Sequence, residues 1–174
     1  TWGQLSRVDA GGRHSRAYAG EPIPSLEAIA TFVRGNGFAL NIEIKPTPGT
    51  ERHTGRIVAQ EVARLWAGDA LPPLLSSFKV EALEGAREGA PRLPRALLLD
   101  HFWDGWLERA EDLGCVAVVM AYAMMDAAVL ARLHGAGLRG IVYTVNDPAE
   151  VKRQRELGTD GLVTDAVDRF SPAR

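Results

Sequence analysis

Short strand-like segments alternate with helix-like segments along most of this chain, and this alternation restricts the folds that it can adopt. Six segments are predicted to be strands because they are short and apolar on at least one side. They are FALNIEIK (38–45), PLLSSF (73–78), RALLL (95–99), CVAVVM (115–120), GIVYTV (140–145) and GLVT (161–164). A helix-like segment follows each of them, which is typical of a parallel sheet covered by helices.

The first of these strands carries polar and charged side chains on one of its two faces. Side chains alternate across a strand, so Asn41, Glu43 and Lys45 face one way and the apolar residues between them face the other. A strand covered on both faces tolerates such groups only where they meet partners or perform chemistry. Glu43 and Lys45 are therefore the first candidates for a functional site.

Two architectures combine a parallel sheet with helices in this way, an open doubly wound sheet and an eight-stranded barrel. No glycine-rich dinucleotide loop follows any predicted strand, and the polar face of the first strand favours the barrel. A barrel needs about 250 residues, whereas this chain has 174. We therefore expect an α/β fold, a (β/α)8 TIM barrel of which about six units, strands 3–8, are present. The missing strands are expected before Thr1.

The chain is accordingly predicted to be a single, N-terminally incomplete domain over residues 1–174. Residues 1–23 are expected to form a loop or insertion, and residues 24–170 the βα units. Thr54 is predicted to cap the helix after the first strand. Asp147 and Glu150 fit the pattern of a capping box. A short helix is predicted over DAVDRF, at the end of the chain.

Composition excludes some functions. The chain has 20 basic and 22 acidic residues and a net charge of -2, without the basic excess that is typical of nucleic-acid binding. Its single cysteine, Cys115, cannot form an intrachain disulfide and is expected to be an inert thiol in the core. No apolar run is long enough to span a membrane, and no signal peptide is evident.

The spacing of Glu43 and Lys45 suggests a particular chemistry. Residues two apart on a strand lie about 7 Å apart along one face, which is too far for a tight ion pair by default. The spacing suits a phosphate held by Lys45 and by a Mg²⁺ or Ca²⁺ ion on the Glu43 carboxylate. This predicts phosphoryl transfer or phosphodiester hydrolysis. The alternative is a structural network in which Glu43 pairs with an arginine.

Four stretches together resemble the glycerophosphodiester phosphodiesterase family, closest to its bacterial cytoplasmic members. They match the family's motifs in order and spacing. The stretches are IPSLEAIATFVRGNGFALNIEIKPTPGTE (23–51), PPLLSSF (72–78), VYTVNDPAE (142–150) and LGTDGLVTDAVDRF (157–170). The resemblance implies a (β/α)8 barrel in the cytoplasm. It also implies metal-dependent hydrolysis of glycerophosphodiesters, such as glycerophosphocholine, to sn-glycerol 3-phosphate and an alcohol.

The resemblance also implies roles for individual residues. Glu43 would bind the metal and Lys45 the phosphate. Ser77 and Phe78 at one strand end, and Tyr143 and Asn146 at another, would line the substrate cleft near the glycerol or alcohol group. The family's His-Arg-Gly, Glu-x-Asp and His-Asp motifs are absent from these 174 residues. The general acid and base, an arginine and two further metal carboxylates are therefore expected upstream of Thr1.

Three other interpretations remain open from the sequence. A lysophospholipase D-like enzyme would share the fold but would need an apolar entrance for an acyl chain. A non-catalytic barrel remnant would bind a partner or nothing. A third alternative is another phosphate-handling barrel, such as an aldolase or isomerase, with Lys45 as a Schiff-base lysine.

Several further side chains are candidates for the cleft. Four histidines are candidates for a substitute base, but none matches a family histidine. They are His14, His53, His101 and His134. Trp103 and Trp106 follow a strand end, where one could stack on a cationic alcohol, although packing of a helix is the commoner role. Asp165 at the end of the last strand is expected to cap a helix.

Overall fold

The computed structural model describes residues 1–170, so the last four residues of the expected 1–174 domain lie outside the described residues. The chain divides into two compact units, and the first comprises residues 1–40. Its helices are α1 (Trp2–Leu5) and α2 (Leu26–Gly35). The Ser25 hydroxyl caps α2 by accepting a hydrogen bond from the amide of Ala28 at 3.1 Å.

The second unit begins at Asn41 and contains a parallel sheet. Within the described residues the sheet has six strands, which lie side by side in chain order. They are β1 (Asn41–Glu43), β2 (Leu74–Ser77), β3 (Arg95–Leu99), β4 (Ala117–Ala121), β5 (Arg139–Tyr143) and β6 (Gly161–Leu162). Five helices connect them, α3 (Glu51–Leu65), α4 (Val80–Gly89), α5 (Trp106–Asp112), α6 (Ala127–Gly135) and α7 (Pro148–Leu157). This topology confirms the predicted partial (β/α)8 barrel.

The two faces of the sheet bury different sets of side chains, because successive residues of a strand point in opposite directions. One face packs on the helices and forms the larger cluster, which includes Leu97, Val118 and Val142 from the strands. The other face forms a smaller inner cluster of Ala96, Leu98, Ala117 and Val119, against which Leu74, Ile141 and Tyr143 pack. The inner face is therefore apolar at its centre, and its polar side chains lie towards the strand ends.

The core also buries one charged side chain and the single thiol. Arg95 begins β3, and its guanidinium donates hydrogen bonds to four carbonyl oxygens instead of a carboxylate. Cys115 is buried nearby, and this burial raises the pKa of its thiol to about 11. The thiol is therefore protonated at neutral pH, in agreement with the predicted inert role. Between residues 1 and 170, no helix is both long and apolar enough to cross a membrane.

The start of α3 differs from the sequence prediction. The helix begins at Glu51 with Thr50 as its N-cap residue, so the prediction that Thr54 caps it is wrong. A turn closes ahead of the helix, because the amide of Thr50 donates to the carbonyl of Thr47 at 3.0 Å. The carboxylate of Glu51 accepts from the amide of Gly49 at 3.0 Å. These local bonds start the helix one turn earlier than the position of Thr54 suggests.

Two predictions near the end of the chain are also corrected. Asp147 caps α7 as predicted, but Glu150 does not complete a capping box, because its carboxylate binds Arg153 and Gln154 instead. The segment 165–170 forms one turn, closed between Ala166 and Arg169, and not a helix. Six residues with a single turn are too few to sustain a helix without packing.

Helices α3 and α4 make the closest contact between helices in the second unit. Gly55 of α3 lies against the backbone of Ala82, and Gly85 of α4 lies against the backbone of Arg52. A Cβ atom at either glycine would overlap a backbone carbonyl oxygen of the other helix. Only glycine allows the two backbones to approach this closely.

We therefore expect Gly55→Ala or Gly85→Ala to lower the free energy of unfolding by about 2 kcal/mol or more, because the helices must separate. Urea denaturation of the chain measures this change. Gly135→Ala is the matched control, since Gly135 also lies in a helix but has no atom near its Cβ position. It should leave stability unchanged or raise it by up to about 1 kcal/mol, because alanine favours a helix more than glycine does. An equal loss in all three variants would contradict the close-contact explanation.

Candidate active site at the carboxyl ends of the strands

Glu43 is the last residue of β1, and Lys45 follows two residues later. Ile44 between them is buried at 3% exposure, whereas the Lys45 side chain is 79% exposed and that of Glu43 is 33% exposed. The predicted alternation of faces is therefore observed. In a barrel, this end of the strands is where catalytic groups lie.

The two side chains meet in the structure. The Lys45 Nζ lies 3.5 Å from the Glu43 Oε1, so the flexible lysine closes the spacing that the sequence predicts to be too long for a tight pair. Within residues 1–170 no arginine forms an ion pair with Glu43. An exposed pair of this kind contributes less than about 1 kcal/mol, so Lys45 can leave it for a phosphate at little cost.

Ser77 fixes the position of this strand end. Its side chain is buried, and its hydroxyl donates to the carbonyl of Ile44 at 2.8 Å and accepts from the amide of Lys79 at 3.1 Å. The bond to Ile44 ties the backbone between Glu43 and Lys45 to the neighbouring strand. The observed contacts of Ser77 are therefore those of a positioning residue, and no part of its hydroxyl is left exposed.

Ser76 is a second buried serine, and sequence reasoning did not single it out. It pairs in register with Glu43 in the parallel sheet, so both side chains belong to the inner face. Its Oγ has no hydrogen-bond partner among the described residues. The position of Ser76 was visible in the SSF motif, but nothing in the sequence distinguishes its environment from that of Ser77.

Phe78 and Tyr143 form an aromatic pair at the same edge of the sheet. Their ring centroids are 6.1 Å apart in an edge-to-face arrangement. The Tyr143 hydroxyl donates to the carbonyl of Leu99, the last residue of β3, at 2.9 Å. Burial raises the pKa of Tyr143, as do the carboxylates of Asp100 and Glu43. The structure thus brings Tyr143 close to both carboxylates, including Asp100, which the sequence interpretation overlooked.

Asn146 joins the end of β5 to the segment after β6. Its Oδ1 accepts from the Thr164 hydroxyl and from the amide of Asp165, both at 2.9 Å. Its Nδ2 donates to the Asp165 carboxylate at 3.2 Å. Asp165 therefore does not cap a helix as predicted, because residues 166–170 form a turn and no helix. Both the oxygen and the nitrogen of the Asn146 side-chain amide therefore form hydrogen bonds to the segment after β6.

The other sequence candidates lie in packing or surface contacts. Trp106 is buried, with the Arg132 guanidinium 5.3 Å from its ring centroid, and Trp103 packs partly buried against the core. His134 binds Asp160 at 2.8 Å. His101 is exposed, and its Nδ1 lies 2.6 Å from the Asp100 Oδ1. That bond orients the Asp100 carboxylate.

A metal site is incomplete in this part of the chain. No group of three or more His, Cys, Asp or Glu side chains within residues 1–170 is arranged to hold a metal ion. Glu43 supplies one carboxylate with the oxygen donors that Mg²⁺ and Ca²⁺ prefer, but both ions take more ligands than one. The described residues fit such an ion only as a partial ligand set.

Comparison with known proteins identifies the family. The sequence pattern of the glycerophosphoryl diester phosphodiesterase family matches residues 1–169. The chain belongs to this family. Its members are phosphoric diester hydrolases and generally depend on a divalent metal. The family assignment agrees with the resemblance carried by the four sequence motifs.

Individual relatives are similar over nearly the whole chain. A putative glycerophosphodiester phosphodiesterase of Bacillus subtilis, YhdW, is 26% identical over 172 residues, which cover 95% of this chain and 68% of that protein. A phosphodiesterase of Oleispira antarctica, solved in complex with the product sn-glycerol-3-phosphate, superimposes with a TM-score of 0.89 at 27% identity. That match covers 97% of this chain and 68% of the other. The chain thus spans about two thirds of the length of these relatives.

The two adjacent serines of β2 allow a direct test of whether the Ser77 hydroxyl ties the end of β1 to β2. Ser77→Ala should lower the free energy of unfolding by about 1–3 kcal/mol, because it removes a hydroxyl that bonds two backbone groups. Ser76→Ala is the matched control, since its hydroxyl is buried without a partner among the described residues. It should leave stability unchanged or raise it. Thermal or urea unfolding measures both, and an equal loss in the two variants would refute the proposed tie.

Proposed function

We propose that this chain takes part in the metal-dependent hydrolysis of glycerophosphodiesters to sn-glycerol 3-phosphate and an alcohol. The observation that carries the proposal is the position of Glu43 and Lys45 at the carboxyl edge of a sheet. The same fold, at a TM-score of 0.89, belongs to a phosphodiesterase solved with sn-glycerol-3-phosphate. The lysophospholipase D-like alternative and the non-catalytic remnant have no comparable support.

In this proposal, Lys45 binds a phosphate oxygen and offsets the negative charge that develops on the phosphate. The weak pair with Glu43 holds the ammonium near the strand end until the substrate displaces it. Glu43 is one ligand of a divalent ion, Mg²⁺ or Ca²⁺, which when bound supplies Lewis-acid stabilisation of the phosphate. Phe78 and Tyr143 form the apolar wall beside the glycerol or alcohol group.

Ser77 and Asn146 hold these groups in place instead of touching the reacting atoms. Ser77 fixes the backbone that carries Glu43 and Lys45, and Asn146 fixes the ends of the last two strands. The family's His-Arg-Gly and His-Asp motifs, which would supply the acid and base, do not occur in these 174 residues. We therefore expect turnover only when this chain is part of a protein that also carries those motifs. A cytoplasmic location is proposed on the family resemblance alone.

The direct test is the release of sn-glycerol 3-phosphate from glycerophosphocholine by such a protein. Release in the presence of Mg²⁺ or Ca²⁺ that stops with EDTA and returns on adding metal is the expected result. The 174-residue chain by itself is expected to release none, since its described residues hold a partial ligand set. Release that EDTA does not reduce would refute the metal-dependent mechanism.

Substitutions at the two central residues test their roles separately. Glu43→Gln should abolish metal-dependent turnover, because the neutral amide lacks the negative charge with which a carboxylate attracts the divalent ion. Lys45→Met should lower kcat by about 10²–10³, because a charge on the phosphate is lost. Glu61→Gln is a suitable control, since this carboxylate pairs with Arg64 on the surface of α3. Near-normal rates for either site variant would contradict its assignment, as would an equal loss in the control.

A further inference from the structure

Asp100 occupies the inner side of the sheet edge, beside the aromatic pair. It follows β3 directly, and it lies two residues after Leu98, which belongs to the inner cluster. Since side chains alternate along a strand, Asp100 continues the inner face beyond the strand end. The hydroxyl of Tyr143 binds the carbonyl of Leu99, so the phenol ring lies next to the backbone that carries Asp100.

Asp100 has no lysine or arginine partner among residues 1–170. Its side chain is 69% exposed, and its hydrogen-bond partner is the neighbouring His101 ring, at 2.6 Å. No lysine or arginine among residues 1–170 forms an ion pair with it, whereas Glu43 on the same edge is paired with Lys45. The contact with the His101 ring nitrogen orients the Asp100 carboxylate at the end of β3.

Two aromatic rings lie near this carboxylate. Phe78 is 39% exposed, so part of its ring is open to solvent, and its neighbour Tyr143 presents a ring tied to the end of β3. Aromatic faces attract cations through the ring quadrupole, and a carboxylate adds direct attraction. The combination is suited to an organic ammonium group that is too large or too methylated to be held by hydrogen bonds alone.

The distance between Asp100 and the phosphate site at Lys45 fits a single substrate molecule. β1 and β3 are separated by one strand, so their ends lie about 10 Å apart, or two strand spacings. A phosphate at Lys45 and an ammonium group at Asp100, joined by a short alcohol, can bridge this distance. The site therefore has a positive group for the phosphate and a negative, aromatic group on the opposite side.

We propose that Asp100, with Phe78 and Tyr143, binds the cationic end of the leaving alcohol and gives the site a preference for diesters of choline or ethanolamine. This inference rests on the proposed function and assigns the alcohol side of the same site. Asp100 is thus a specificity-determining residue that contacts the substrate away from the reacting phosphorus.

The test compares a cationic and a neutral substrate in the protein that carries this chain and the family's other motifs. Asp100→Asn should lower kcat/KM for glycerophosphocholine about tenfold and leave that for glycerophosphoglycerol within about twofold, because only the first substrate loses a charge contact. It should also weaken inhibition by free choline about tenfold while inhibition by sn-glycerol 3-phosphate stays unchanged. Asp104→Asn is the matched control, since it removes a carboxylate from the same loop beside Trp106 and Arg132.

The outcomes separate this inference from the proposed function. Turnover of both substrates with the same ratio in Asp100→Asn as in the wild type would overturn the cation site and leave the phosphodiesterase proposal intact. If no diester is hydrolysed in the presence of metal, the proposed function fails, and calorimetric titration of choline into wild type and Asp100→Asn then decides the cation site. Choline binding that the substitution weakens would support it, and equal or absent binding would overturn it.

Discussion

Parallel pairing of the strands is the constraint on which the site depends. In a parallel sheet every strand ends at the same edge, so residues that are distant in sequence meet just beyond the last paired residue. Glu43, Asp100 and Tyr143 are brought together in this way. Each follows or ends a strand of the parallel sheet, and reversing one strand would move its residue to the opposite edge.

Hydrogen bonds from side chains to the backbone keep that edge in place. Strand ends leave carbonyl groups without a ladder partner, and buried groups of this kind need another donor. Ser77 donates to Ile44, and the Tyr143 hydroxyl donates to Leu99. Asn146 binds both the backbone and the side chain of Asp165. Three of the residues that the motifs place in the cleft therefore also hold the backbone of the cleft.

Much of this could be predicted from the sequence, for physical reasons. The strands can be predicted because they are short and apolar on at least one side, and the inner position of Glu43 follows from strict alternation. The engagement of Ser77 could not be predicted, because its acceptor lies 33 residues earlier in the chain. The start of α3 was missed because a turn at Gly49, and not a capping side chain, determines it. Asp100 could not be singled out from the sequence, because only the structure shows that no lysine or arginine among residues 1–170 pairs with it.

The arrangement of charge along the edge distinguishes its two sides. Glu43 and Lys45 compensate each other, and a phosphate or a metal changes that balance by displacing one weak, exposed contact. Asp100 has no lysine or arginine partner among residues 1–170, and an edge carboxylate beside two aromatic rings attracts cations whether or not a phosphate is present. A diester with a cationic alcohol carries its two charges in the order that this edge presents. A neutral alcohol satisfies only the phosphate side, so in the mechanism we propose Asp100 discriminates between alcohols while Glu43 and Lys45 serve the chemistry.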